Sequence, residues 1–581
     1  MLGRTLKYTD AKGKQTTNTY DKYGKLTSRT SPLGTESYEY DQYDRLTKQK
    51  LDGATLATIT YDAYNRIANV QYPAGMSLSN ISRDSLGREN GNIYTLANGQ
   101  TLSDNITRYT SGDTQSGTEL GTAKSYTYDK AGRLTGATIG SNTYTYGFGA
   151  QDASCTAYAG YDAGKDGNRT SMTVNGQTTT YCYDMADRLT SSSDPILTNA
   201  QYDAHGNTTS LGDATHKTEF SYDASDRNTG IKFGTKETQY TRDAQNRIIT
   251  REQKTNGSTT TAVGYGFTGS GDTPDYLLDG NGNVTQKYVT LPGDVLVTLK
   301  PGSTGSGATT YSLPNIHGDV FATVDGNGTL LSAFMTGPFG EVLPTAITQP
   351  AGATSATAKP SNASNGTTYS YVGQHEKLTD TETASIPGGI IQMGARVYIP
   401  SLGRFLQVDP QPDGNDNAYA YVSDPVNGFD LDGNAGIFDN IRKGVQGAAK
   451  WAWKNREGIA FAASIALMFV PGVGPAIGVA RVAVTAYKIA RVAKAGGSLA
   501  RFGAVSARTS NLAGKIYLGR GAMAGPRGAM ISRDGLRMYR PPVYKVRQGF
   551  KQSNFQARGS TQYKWSNPKR PGYYNGHLRI R

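Results

Sequence analysis

At 581 residues the chain is too long for one hydrophobic core, and about three to four domains of ordinary size are expected. Its 71 Gly and its 38 Tyr against 15 Phe fit many short strands with turns between them, so a β majority follows. The charge is split unevenly: residues 436–581 hold 26 Lys or Arg against Asp439, Glu457 and Asp534, a net of +23 that leaves −10 for residues 1–435, and a basic tail on an acidic body points to a polyanion as the tail's target.

The N-terminal stretch "MLGRTLKYTDAKGKQ" lacks the apolar centre of a signal peptide. One phrase then recurs: Tyr20-Asp21 with Lys25-Leu26, Tyr40-Asp41 with Arg45-Leu46, Tyr61-Asp62 with Arg66-Ile67, Tyr128-Asp129 with Arg133-Leu134, Tyr183-Asp184 with Arg188-Leu189, and Tyr222-Asp223 with Arg227. Degenerate copies stand at Asp84 with Arg88, at Tyr202-Asp203, and at Asp243 with Arg247. Starts at 20, 40 and 61, and again at 183, 202 and 222, are 19 to 21 residues apart, the self-similarity of an array. Alternation in "SYEYD", "TITYD" and "SYTYD" predicts β-hairpins. In Asp-x-x-Gly/Asn-Arg the Asp can accept from backbone two residues on, the Gly or Asn tolerates positive φ, and the Arg is expected to pair with a carboxylate of the next unit. The motif therefore reads as a turn staple. Cys155 and Cys182, 27 residues apart, are expected as buried thiols, with pairing the alternative.

The copy "YDKAGRLT" at 128–135 resembles the YD repeat of the Rhs family and of the insecticidal toxin-complex C components. The resemblance implies a mostly β fold: an antiparallel sheet over residues 1–250 that spirals into a shell around the protein's own C-terminal toxin. It also implies a truncated member that lacks the family's delivery parts. Residues 251–370 are expected to add shell strands and a flexible insertion, "TQPAGATSATAKPSNASNGTT" at 348–368.

Residues 371–434 resemble the Rhs-associated core domain: Tyr-x-Gly-Gln at 371–374, Arg-x-Tyr-x-Pro-x-x-Gly-Arg-Phe-Leu at 396–406, Asp-Pro at 409, Asn-x-Tyr-x-Tyr at 417–421. The resemblance implies a built-in aspartic protease. Carried over, Asp409 and Asp430 are its paired carboxylates, one keeping a proton as acid while the other activates water. Arg404 is expected to hold the ionised partner, and the cut is expected between Asn434 and Ala435. Two departures bear on this: Asp430-Leu431-Asp432-Gly433 replaces the family's Asp-Pro-x-Gly, and Asn434 stands where the family has Leu. The alternative is that these Asp residues only staple a closing plug.

Residues 435–519 read as an α-helical pre-toxin region. Gly458–Ala480 is uncharged and long enough to span a bilayer, but Pro471, Gly472, Gly474 and Pro475 break it, so a packed helical hairpin is expected, with a membrane-active hairpin as the alternative.

Residues 520–581 read as a small α+β or β-rich toxin. Arg and Lys alternate there with Tyr539, Phe555, Trp565 and Tyr574, suited to phosphate contacts and base stacking. From residue 458 on there is no Glu, one Asp and one His, an inventory against a metal-dependent nuclease or an ADP-ribosyltransferase, and no metal or cofactor is called for. A ribonuclease that uses the 2′-OH of RNA passes this test, with His577 moving the proton and Arg558, Lys564 or Arg579 meeting the phosphorane charge. The ending "NFQAR…W…NGHLRI" resembles polymorphic toxin type 17, a family of expected ribonucleases. The expected whole is an effector of interbacterial competition, made in the bacterial cytoplasm and delivered into a target cell. Its expected partners are RNA, a small acidic immunity protein, a secretion apparatus or delivery module, and its own enclosed toxin. A non-enzymatic truncated relic is the remaining alternative.

Overall fold

The computed structural model describes residues 4–271, 273–341, 343, 367–375, 377–381, 383, 386–410, 417–431 and 433, and towards the C-terminus 499, 504–505, 507–518, 522–524, 529–545, 550–558, 560 and 574–580. The helical hairpin expected within 435–519, the insertion at 348–366, the cleavage pair Asn434 and Ala435, and Lys564 lie outside the described residues. The chain divides into two compact units, Met1–Arg442 and Lys443–Arg581.

The first unit is nearly all antiparallel β-sheet. Seventeen strands from Lys7–Thr9 to Leu189–Ser192 form one sheet, each paired with the next in sequence. Thirteen more, from Gln201–Tyr202 to Leu330–Ala333, repeat the meander. The sheet runs straight through position 250: Ile248–Thr255 pairs on both sides, and the Asn256-Gly257 turn, with φ of 52° and 79°, continues the hairpins after the repeat phrase has faded. A five-stranded sheet from Thr367–Tyr369 to Arg404–Phe405 follows.

Most repeats are stapled in the same way. In the unit at Asp62, the carboxylate accepts from the backbone N–H of Tyr64 at 2.8 Å and of Arg66 at 2.9 Å, and Asn65 between them has φ of 62°. The Arg expected to reach the next unit's carboxylate instead closes on its own Asp: Arg66 Nε lies 2.7 Å from Asp62 Oδ2, and Arg45, Arg88, Arg133 and Arg188 repeat this. Four residues of turn are the right length for the fork to fold back on the carboxylate that organises the turn. Cross-unit contact is left to neighbours: Arg45 Nη1 donates to Asn65 Oδ1 at 2.9 Å, and Lys25 does reach Asp44. The tyrosines join units too, since Tyr40, Tyr61, Tyr128, Tyr202 and Tyr222 donate their hydroxyls to the carbonyls of Leu26, Leu46, Thr114, Leu189 and Thr208.

The sheets share their cores. Val70, Leu78 and Tyr94 of the first pack with Val297, Leu313 and Phe321 of the second. Polar contacts cross as well: Tyr72 donates to Pro292 O at 2.6 Å. A buried charge cluster stands between them, where Lys124 Nζ lies 2.7 Å from Asp104 and 2.6 Å from Glu119, while Asn315 Nδ2 and Ile316 N of the second sheet donate to the same two carboxylates. Against the burial that opposes it, the paired carboxylates hold the Lys124 ammonium well above its ordinary range, and burial pushes Glu119 up. Cys155 and Cys182, expected as thiols, form a disulfide with Cα atoms 5.4 Å apart. The loop that carries Cys155 folds back on the strand Gln177–Tyr183, a return that the spacing alone did not reveal.

In the second unit, strands Met523–Ala524, Met530–Ile531, Arg537–Lys545, Phe550–Ala557 and Tyr574–Ile580 form an antiparallel sheet, with Ala504–Val505 added in parallel. The helix Ala507–Leu518 covers one face: Ala513 and Tyr517, four apart, share a core with Tyr539, Phe555 and Leu578. The fold of the tail therefore includes residues N-terminal to 520.

Candidate functional site

In the first unit the hairpin Ile390–Met393 to Arg396–Ile399 turns tightly at Gly394-Ala395, with Met393 opposite Arg396. Arg396 is 1 % exposed, and its Nη2 lies 3.1 Å from Asp409 and 2.9 Å from Asp430. The two carboxylates named from the sequence thus meet at one cation. Their side chains are 4 % and 1 % exposed, and rings close the site: the Arg396 guanidinium sits 3.8 Å from the centroid of Phe405, and the rings of Tyr398 and Tyr421 pack at a tilt with centroids 4.4 Å apart. The Asp430 N–H points to Tyr421 Oη at 3.4 Å, and the Asp409 N–H donates to Ala418 O.

Arg404 is placed elsewhere. Its guanidinium donates to Asn168 Oδ1 at 3.1 Å and to Asp187 O at 2.5 Å, and lies over Tyr183 and Tyr419. It ties the five-stranded sheet to the first sheet. The cation between the carboxylates is Arg396, from the start of the same motif, which sequence reasoning passed over.

Arg396 also reaches the segment that leads to the expected cut. Its Nε donates to Gly433 O at 2.7 Å. Gly433 has φ of 65°, and a Cβ there would lie 2.3 Å from Met393 O, so only glycine seats this close to the hairpin. The carbonyl next to Asn434 is therefore anchored on the cation that holds both carboxylates. Acid–base cleavage by a pair of carboxyl groups needs one of the two to carry a proton.

In the second unit the sheet face turned from the helix is polar. Register places Arg540 beside Asn554 and Asn554 beside His577, three neighbours across three strands, with Gln552 beside Arg579 in the next row. His577 Nδ1 contacts Gln552 Nε2 and lies 3.2 Å from Asn554 Oδ1, so two amides orient the ring. His577 and Arg579 are exposed, and Arg540 Nε reaches Gln556 Oε1 at 3.3 Å. Arg558 serves the turn Ser532–Arg537 instead, with its N–H on Leu536 O and its Nε on Gly535 O. Arg540 was missed from the sequence. Its signal was the strand alternation that sets it opposite Asn554, obscured by Pro541-Pro542 and the bulge they make. Among the described residues no group of three His, Cys, Asp or Glu side chains is placed to hold a metal.

A family profile described as RHS Repeat matches residues 2–36 and 20–55. Residues 2–55 thus carry RHS repeats. The tRNA3(Ser)-specific nuclease WapA of Bacillus spizizenii is 28 % identical over 299 residues, 50 % of this chain and 11 % of that protein. Among solved structures, the TcdB2-TccC3-Cdc42 crystal structure matches with a TM-score of 0.56 at 18 % identity, over 72 % of this chain and 21 % of that one. A Photorhabdus luminescens Tc holotoxin pore with a mutated TccC3 matches with 0.56 at 19 %, over 74 % and 21 %. These two share the fold of the repeat unit. The chain spans about a tenth of the curated relative it matches and about a fifth of each solved chain.

Proposed function

We propose that this chain is a polymorphic toxin of the Rhs type, in which the repeat unit encloses a basic C-terminal ribonuclease that needs no metal. The observation that carries the reading is the row Arg540, Asn554 and His577, with Arg579 beside it, on the face of a small sheet turned from its helix. RNA supplies its own nucleophile. His577 moves the proton at the 2′-OH or the leaving oxygen, Gln552 and Asn554 set its ring, and Arg540 and Arg579 meet the charge on the phosphorane. Similarity to a tRNA nuclease and the tail's net charge of +23 support RNA as the substrate class.

Release of the tail rests on Asp409 and Asp430. Once a proton enters the pair held by Arg396, one acid protonates the leaving nitrogen of the Asn434–Ala435 bond while the other activates water. The producing cell is protected by a small acidic partner complementary to the basic face, and the chain leaves that cell through a secretion apparatus or delivery module.

The test uses residues 443–581, which include the helix and the whole sheet. Induced in a bacterial cell, this unit is expected to degrade tRNA or rRNA, and the purified unit is expected to do so in EDTA. Intact RNA in both settings refutes the nuclease reading. Activity that EDTA abolishes refutes the metal-free mechanism.

A further inference from the structure

Of the repeat units that depart from the pattern, two do so at one cavity. Where the array puts Tyr before Asp, Arg242 precedes Asp243; where it puts Leu or Ile after Arg, Asn228 follows Arg227. Arg242 does the tyrosine's bonding, since its Nε and Nη2 donate to Asn228 O, 14 residues back, as the tyrosine hydroxyls do. It adds a charge that the tyrosines lack. Asn228 is fully buried and receives Gln392 of the five-stranded sheet on its Oδ1 at 3.3 Å.

The cavity beside these residues has a volume of about 440 Å³, within the range of small-molecule sites. Arg227, Arg242, Arg247 and Lys377 line it, with Tyr240 and Tyr265 as ring walls, and among the described residues no carboxylate does. Arg247 is neutralised by Asp243 at 2.8 Å. Arg227 breaks the staple: its backbone N–H keeps Asp223, but its Nε is buried with no hydrogen-bond partner among the described residues, where every other Arg of the full motif donates Nε to its own Asp. Among the described residues Arg242 donates only to carbonyls. Burial, with the charge of Arg227 adding to it, pushes the Arg242 guanidinium down to about 10. The other Arg in the tyrosine position, Arg83, has Glu89 facing it. Such clustering of cations costs stability unless an anion joins them.

We propose that this cavity is a binding site for a phosphate-bearing small molecule, held between the guanidinium groups of Arg227 and Arg242. Fork-shaped donors with open sites are suited to phosphate oxygens, and the two tyrosine rings give the rest of the ligand an apolar wall. The cavity also reaches Gly394 and Ala395, the turn that precedes Arg396, so the ligand sits against the hairpin that carries Arg396, the cation shared by Asp409 and Asp430.

Pyrophosphate is the probe, titrated into the full-length protein in about 0.15 M salt with hydrogen exchange followed peptide by peptide. That readout separates this cavity from the basic tail. Slowed exchange is expected over residues 240–248 and 390–396, and Arg227→Gln is expected to raise the pyrophosphate needed by tenfold or more while tail peptides respond as in the parent. Among the described residues Arg227 makes no side-chain bond that folding would miss; Arg242→Gln is a second variant with the same expectation. Protection confined to the tail, or protection over 240–248 that Arg227→Gln leaves unchanged, overturns the site. Equal protection by citrate overturns the phosphate assignment.

Discussion

Replacing Lys124 by Met removes the one cation shared by Asp104 and Glu119 where the two large sheets meet. All three side chains are 7 % exposed or less, and Asn315 and Ile316 across the junction donate to the same carboxylates. Breaking a buried pair by removing one partner costs about 3–5 kcal/mol. Burial already pushes Glu119 up to about 7 in the parent, and Lys124 opposes that rise, so without the ammonium the folded-state value climbs further above the unfolded one near 4.3. Parent and variant then differ in the protons they bind only above about pH 7, so this part of the loss is absent at pH 5 and grows by up to about 1.4 kcal/mol per pH unit above 7. Urea unfolding followed by far-UV circular dichroism at about pH 5 and about pH 8.5 reads this directly. The expected result is a clearly lower midpoint at the higher pH that recovers towards the parent's at the lower one, and recovery at the higher pH when Asp104→Asn and Glu119→Gln are added. A parent-like midpoint at the higher pH, or the same deficit at both, refutes the account of the cluster.

Three further outcomes are expected. His577→Ala in residues 443–581 lowers RNA cleavage by about a hundred- to ten-thousand-fold with the dichroism spectrum kept; cleavage at the parent rate rules His577 out as the proton carrier. In the full chain, intact-mass analysis yields a fragment that begins at Ala435, and Asp409→Asn abolishes it; a single full-length mass for the parent removes the protease. Burial, with Lys377 and His317 adding to it, pushes His375 down to about 4, so the unfolded chain binds the extra proton first and stability drops as the pH falls from 6.5 to 4, by up to about 3 kcal/mol. His375→Gln flattens that part of the urea-midpoint profile, and an unchanged slope places the titration elsewhere.

Sequence carried the meander well because a hairpin array writes itself at short range: the Asp, the positive-φ residue and the Arg of each turn lie within five positions. What crosses between distant strands was hidden. The choice of Arg396 over Arg404 depends on which side of a five-stranded sheet faces the turn at Asp409, and both belong to one motif, so spacing did not separate them. Arg540 was masked because Pro541-Pro542 interrupts the alternation that sets it beside Asn554. Asp409 and Asp430 came from the motif, and the structure places them on one guanidinium. The helix Ala507–Leu518 was assigned to the segment before the toxin, yet Ala513 and Tyr517 belong to the tail's own core.

The tyrosine bonds between successive units fix only the neighbour, so nothing local counts how many units there are. Losing one two-stranded unit shortens a sheet by about 10 Å, twice the ordinary spacing between strands. Within the array such a loss leaves every staple intact. It would nonetheless carry Tyr72 past Pro292 and Glu119 past Asn315 by that same step, out of reach of partners more than 190 residues away in sequence. Repeat number in this protein is thus held as in a zip whose teeth are interchangeable but whose two halves must start level: a deletion of about twenty residues is locally silent and globally out of phase.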